Sequence, residues 1–167
     1  MVKLRLIKRR PVPSLTIERL TELVKKFALP VPLVASIIEI ESSWNRYAMR
    51  YEPSFSHTMQ LKENSKRLGI TFPSEQIGQK TSWGLMQVMG ATARLMGFKG
   101  HFPELCDVDL GIEWGCRYLR WQSNRYKTQD EWIAAYNAGT ARRMADERFA
   151  NQEYVDKVNT LIKVFSF

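Results

Sequence analysis

Just beyond Pro30 the apolar residues Val34, Ile37 and Ile38 recur at helical spacing, and the next position of that stripe is Glu41. A helix over residues 31–45 accounts for the pattern, with Pro30 ending whatever precedes it. At about 100° per residue, Glu41 falls within roughly 20° of Val34 on the helix projection. The carboxyl therefore joins the face that the fold must bury, while Glu39 points nearly the opposite way, toward solvent. Loss of solvation disfavours the charged form, so such a carboxyl either finds an Arg or a helix N-terminus or keeps its proton nearer to neutral pH. Both readings stand on the spacing alone.

The remaining helical segments follow the same logic. Leu15, Leu20, Leu23, Val24 and Phe27 define a helix over residues 14–28, capped by Ser14. Residues 46–81 form a polar stretch in which 56–68 reads as a helix ended by Gly69, and a few residues of sheet are compatible with it. Residues 84–96 read as helical despite internal glycines, Asp107 or Asp109 caps a helix reaching residue 126, and 130–138 and 152–164 complete the set. Few strand patterns occur, so the expected fold is mainly α.

The chain has 167 residues, enough for a single domain with a real core. Lys3, Arg5, Lys8, Arg9 and Arg10 precede Pro11 and Pro13, which separates a basic arm at residues 1–13 from a domain at 14–167. Alternation of Val2, Leu4 and Leu6 would also permit a short strand in the arm. A net charge of +8 favours polyanionic partners, whether nucleic acid, membrane surface or cell wall, but no nucleic-acid-binding module is recognisable. No stretch reaches the ~20 apolar residues of a membrane span. Cys106 and Cys116 fall near or within one predicted helix, too far apart for a disulfide, and read as free buried thiols. His57 and His101 lie far apart among weak partners, which argues against a zinc site.

A protonated buried carboxyl is what a general acid needs in order to protonate a glycosidic oxygen. Glu39 and Glu41, on opposite faces, cannot flank one scissile bond as the usual carboxylate pair does. The partner of Glu41 must then come from elsewhere in the fold or from the substrate.

Three separated segments, Glu41-Ser42-Ser43-Trp44-Asn45, Gly84-Leu85-Met86-Gln87 and Ala135-Tyr136-Asn137-Ala138-Gly139, resemble the motifs of the soluble lytic transglycosylase (SLT) family, and Tyr154-Val155 resembles its later tyrosine motif. The resemblance implies a lysozyme-like, two-lobed helical domain with a substrate cleft. It implies cleavage of the β-1,4 bond between N-acetylmuramic acid and N-acetylglucosamine in peptidoglycan, with formation of 1,6-anhydromuramic acid. Glu41 would act as acid and then base, and the sugar's own 6-hydroxyl would be the nucleophile, which supplies the missing partner without metal or cofactor. Gln87, Tyr136, Asn137, Tyr154, Ser42 and Ser82 are the substrate-binding residues it implies. For Ser42 a packing or capping role, for Gln87 a structural cap and for Tyr154 a core position are the alternatives. Ser82 is the candidate for a family serine between the first two motifs.

Arg46 and Gly90 stand where the family has proline, and the 42 residues between Glu41 and Gly84 make an extended insertion. A hydrolytic muramidase on the same fold would need a second carboxylate to hold water, for which Glu52 and Glu75 are the candidates. A noncatalytic wall-binding or virion structural protein is the other alternative. The basic N-terminus has no apolar signal-peptide core behind it. The expected origin is therefore a phage, the enzyme being tail-associated during genome entry or released as an endolysin into the host periplasm, with the arm docking to wall or virion proteins.

Overall fold

The computed structural model describes residues 15–166. The basic arm at residues 1–13, and with it the predicted cap Ser14, lies outside the described residues. Among those described, eight α-helices and a small three-stranded sheet make up a mainly α fold, as expected.

Helix α1 (Ile17–Lys25) is capped by Thr16, whose hydroxyl accepts from the Arg19 amide at 3.1 Å. It buries Leu20, Leu23 and Val24. Helix α2 (Val31–Ser42) starts at Pro30 and buries Leu33, Val34, Ile37 and Ile38 completely. It stops short of residue 45 because Ser43 and Trp44 both take left-handed conformations, with φ of 48° and 63°. That reversal lets the Trp44 indole donate to Glu39 Oε2 at 2.5 Å and pack edge-on against Phe165. Glu39 is accordingly half-buried, not simply pointed at solvent.

The insertion is folded throughout much of its length. Strand β1 (Met49–Tyr51) leads through a loop to helix α3 (Leu61–Leu68), shorter than the predicted 56–68 and ended, as predicted, by Gly69 at φ 66°. Helix α4 (Phe72–Gln79) was not legible as a helix. Its buried positions are Glu75, Gly78 and Gln79, so it has no apolar stripe to read. Glu75, wholly buried, accepts from Arg94 Nε at 2.8 Å and Nη2 at 3.0 Å, and from Gln79 at 2.9 Å. Arg94 also lies over the Phe102 ring at 4.0 Å. Glu75 is thus a structural ion-pair residue, and its candidacy as a water-holding carboxylate is overturned.

The larger correction concerns residues 84–96. Instead of one helix, strands β2 (Thr81–Trp83) and β3 (Val88–Met89) form an antiparallel hairpin, followed by helix α5 (Gly90–Leu95). A short apolar run does not distinguish strand from helix by period alone. The glycines that weakened a helix are what the hairpin requires. Gly84 has φ 70°, and a Cβ there would stand 2.2 Å from the Leu105 carbonyl oxygen. Strand β1 pairs with β2, with Arg50 opposite Ser82, and Ser82 is in turn opposite Met89.

A 3-10 helix (Phe102–Cys106) leads into α6 (Val108–Arg125), capped by Asp107, which accepts from the amides of Asp109 and Leu110. Asp109 instead forms an ion pair with Arg19. Cys106 and Cys116 are free and buried, and burial pushes the Cys116 thiol up to about 12. Helix α7 (Gln129–Ala138) begins with a reciprocal Thr128–Glu131 cap and ends at Gly139, φ 79°. Helix α8 (Gln152–Phe165) lies along α2 and completes the core with Val155, Val158 and Phe165.

Removing one member of a buried ion pair strands the other, at a cost of about 3–5 kcal/mol. Arg94→Met should destabilise the fold by that order, whereas Glu75→Gln, which keeps an acceptor for Arg94, should cost less. Chemical denaturation of both variants measures the difference, and an Arg94→Met protein as stable as the parent would show that the pair does not hold the insertion in place.

Candidate active site

Glu41 sits in the last turn of α2, directly beyond the fully buried Ile37 and Ile38. Its side chain meets α8, where the Tyr154 hydroxyl donates to Glu41 Oε1 at 2.6 Å. Burial raises the Glu41 carboxyl above its ordinary value, and the Tyr154 hydrogen bond and the charge of Arg50 oppose that rise without cancelling it. The phenols of Tyr154 and Tyr136 are pushed well above the usual tyrosine range by burial first and then by the Glu41 charge. Both therefore stay protonated and serve as donors.

The carboxyl opens on a cavity of about 430 Å³. One wall is the sheet, with Arg50, Ser82, Val88 and Met89, and the opposite wall is α6 and α7, with Tyr118, Tyr136 and Asn137. Glu52, Ser54 and Phe55, from the loop after β1, border the same space. No cluster of three or more His, Cys, Asp or Glu side chains able to hold a metal occurs among the described residues.

Five of the seven residues singled out in the sequence line this cavity: Glu41, Ser82, Gln87, Tyr136 and Asn137. Gln87 occupies the hairpin turn at φ 47° and donates through Nε2 to the carbonyls of Ala48 and Gly84, each at 2.9 Å. Both amide protons are used in shaping the turn, which leaves Oε1 as an acceptor at the cavity. Tyr136 presents its ring to the cavity while its hydroxyl donates to the Met86 carbonyl at 2.7 Å. Asn137 is exposed, and its Oδ1 accepts from Asn151 Nδ2 at 3.0 Å, which leaves its own amide protons as donors. Ser82 donates to Met89 Sδ at 3.1 Å.

The other two lie behind the cavity. Tyr154 reaches Glu41 from α8, and the Ser42 hydroxyl is directed at the Leu85 carbonyl at 2.8 Å, with the Ile38 carbonyl at 3.1 Å. Ser42 therefore ties α2 to the hairpin turn. Of the two carboxylates named as water-holders, Glu52 lines the cavity and Glu75 does not. Asn151, Tyr118, Thr92 and Phe55 carried no motif and were missed. Only the position of Tyr118, one turn beyond Trp114 and one turn before Trp121 on α6, hinted at an aromatic face.

The Tyr154 phenol stabilises the ionised form of Glu41, so its loss should move the carboxyl further upward. Tyr154→Phe is expected to raise the Glu41 titration midpoint, followed by carboxyl carbon NMR of selectively labelled protein. An unchanged or lowered midpoint would mean that the 2.6 Å contact does not persist in solution.

Comparison with curated proteins and with solved structures returned no match. The family model described as the transglycosylase SLT domain matches residues 20–158, a span that holds Glu41, the hairpin turn, the third motif on α7 and Tyr154. This lysozyme-like helical domain, with Glu41 directed into the cavity from α2, belongs to the transglycosylase SLT domain family, whose activity is directed at peptidoglycan.

Proposed function

We propose that the protein is a peptidoglycan lytic transglycosylase that cleaves the bond between N-acetylmuramic acid and N-acetylglucosamine. The observation that carries this reading is Glu41, half-buried on the apolar face of α2, raised above its ordinary value by loss of solvation and bordering the cavity. Its proton passes to the glycosidic oxygen as the C1–O bond breaks, and the departing N-acetylglucosamine leaves as the alcohol. The Glu41 carboxylate then takes the proton of the muramyl 6-hydroxyl while O6 bonds to C1, which closes the anhydro ring and restores the acid. The proton balance is complete within one carboxyl and the substrate. Tyr154 holds the carboxyl in place and lowers the cost of its ionised state between the two steps. Gln87 Oε1 and the Ser82 hydroxyl oxygen offer acceptors, and the Asn137 amide offers donors, suited to N-acetyl and hydroxyl groups.

Hydrolytic muramidase action is the second reading, and Glu52 favours it, because this carboxylate borders the same cavity as Glu41. Against it, Glu52 Oε1 is paired with Arg50 Nε at 2.5 Å and so is already engaged. The products separate the two readings. Mass spectrometry of digested wall should show muramyl ends one water lighter than hydrolytic ends, and dominant reducing ends would assign hydrolysis.

Glu41→Gln keeps the shape and the Tyr154 contact but has no acid proton, so wall clearing should fall by at least about a hundredfold. A variant clearing purified wall at the parent rate would remove Glu41 from the chemistry. Asn137→Ala, which loses neutral hydrogen bonds at an exposed site, should lower kcat/KM about two- to tenfold. Its melting temperature should hardly change, and a large drop there would make Asn137 a structural residue.

A further inference from the structure

Among the described residues that line the cavity, three are charged, Glu41, Arg50 and Glu52, and Arg50 is the one cation. The strand register places it. Arg50 lies opposite Ser82, and Ser82 opposite Met89, and all three border the cavity, so one face of the sheet is a cavity wall with Arg50 at its outer edge. Glu52, two residues on and on the same side of the extended chain, pairs with Arg50 Nε at 2.5 Å. Neither terminal guanidinium nitrogen makes a hydrogen bond among the described residues, and the side chain is 74% exposed. The guanidinium is thus paired at its inner nitrogen and unbonded at its fork, the part that matches a carboxylate through two parallel hydrogen bonds.

N-acetylated sugars are themselves neutral. On a peptidoglycan strand carboxylates enter through the lactyl ether of muramic acid, either free on stripped glycan or extended by a peptide that carries its own. We propose that Arg50 is the receptor for a carboxylate of the muramyl unit bound beside Glu41, and that Glu52 is a positioning residue that holds the guanidinium at the cavity edge and moderates its charge. The inference rests on the glycan-cleaving reading above and adds a charge-reading subsite to it. A purely structural Arg50–Glu52 pair makes a different prediction. Loss of either partner would then have the same sign, whereas here the two losses have opposite signs.

Binding is read in the Glu41→Gln chain, whose turnover should be at least about a hundredfold slower, by calorimetric titration with short muramyl glycans. The probes bear free lactyl carboxylates, the same carboxylates as methyl esters, or intact stem peptides. Hydrogen bonds to a charged group imply that esterification weakens binding about tenfold to a hundredfold. Adding Arg50→Gln should abolish that penalty, and Arg50→Lys, which keeps the charge but loses the fork, should retain part of it. Adding Glu52→Gln should enlarge the penalty, but not where Arg50 is already replaced. Tighter binding of the stripped glycan assigns the lactyl carboxylate as the group recognised, and tighter binding of the peptide-bearing glycan assigns the stem peptide. An ester penalty that is absent, or that survives Arg50→Gln, overturns the inference. If the parent chain nevertheless releases anhydromuramyl ends from wall, the proposed function stands without it. If no muramyl glycan binds and wall is not cleaved, both fall together.

Discussion

The hydrogen bond from Tyr154 to Glu41 joins α8 to α2 near the end of a long buried contact, and it sets the condition under which the site can exist. A carboxyl on the apolar face of α2 loses most of its hydration, and without a donor its ionised form would be too costly to visit. A cation in direct contact would have the opposite fault, since it would hold the carboxyl ionised at all working pH. A phenol whose own proton is held tightly by burial lies between these limits. It donates one strong hydrogen bond and adds no charge. The residue that supplies it lies 113 positions away, so the chemistry of α2 depends on α8 being packed against it.

Around that contact the three motif segments hold one another through backbone carbonyls at the β2–β3 turn. Ser42, next to the acid, is directed at the Leu85 carbonyl, Tyr136 on α7 donates to the Met86 carbonyl, and Gln87 donates to Ala48 ahead of β1. Gly84 adds its own amide to the Ala48 carbonyl. Four residues of turn therefore fix the distance between the helix that carries the acid, the helix that carries Asn137 and the sheet that carries Arg50 and Ser82. Leu85 and Met86 are buried beneath it, which anchors the turn to the core. Much of what looks like substrate-binding chemistry in these motifs is the means by which the walls are held apart at a fixed width.

Legibility in the sequence followed the type of interaction. The helices with apolar stripes, α1, α2, α6, α7 and α8, were readable to within a few residues, and so was the inward direction of Glu41, because both depend on period and burial alone. The glycine end at Gly69 was readable for the same local reason. The hairpin at 81–89 was not, because its strands are too short to show alternation and its turn buries Leu85 and Met86 as a helix would. Helix α4 was hidden by its polar buried face. Among site residues, those in motifs could be named, but their roles could not. That Ser42 points at a carbonyl, or that Asn137 leans on Asn151, depends on elements brought together only by the complete fold.

Glu75 and Glu41 show what the sequence leaves undecided and the packing decides. Both are glutamates drawn inward on helices, and either could have been read as catalytic. Glu75 meets a guanidinium in two-point contact and accepts a further bond from Gln79, so its charge is paired in place. Glu41 meets a phenol and open space. Its carboxyl has a value in the fold above that of the unfolded chain, so the protonated form is the one that folding favours. The stability this contributes is fully present below the unfolded value and is lost as pH rises through the folded one. At neutral pH the domain therefore carries an electrostatic cost localised at Glu41, offset by the core of α2 and α8 on either side of it. That only partly compensated carboxyl is the feature on which the proposed acid-then-base role of Glu41 depends.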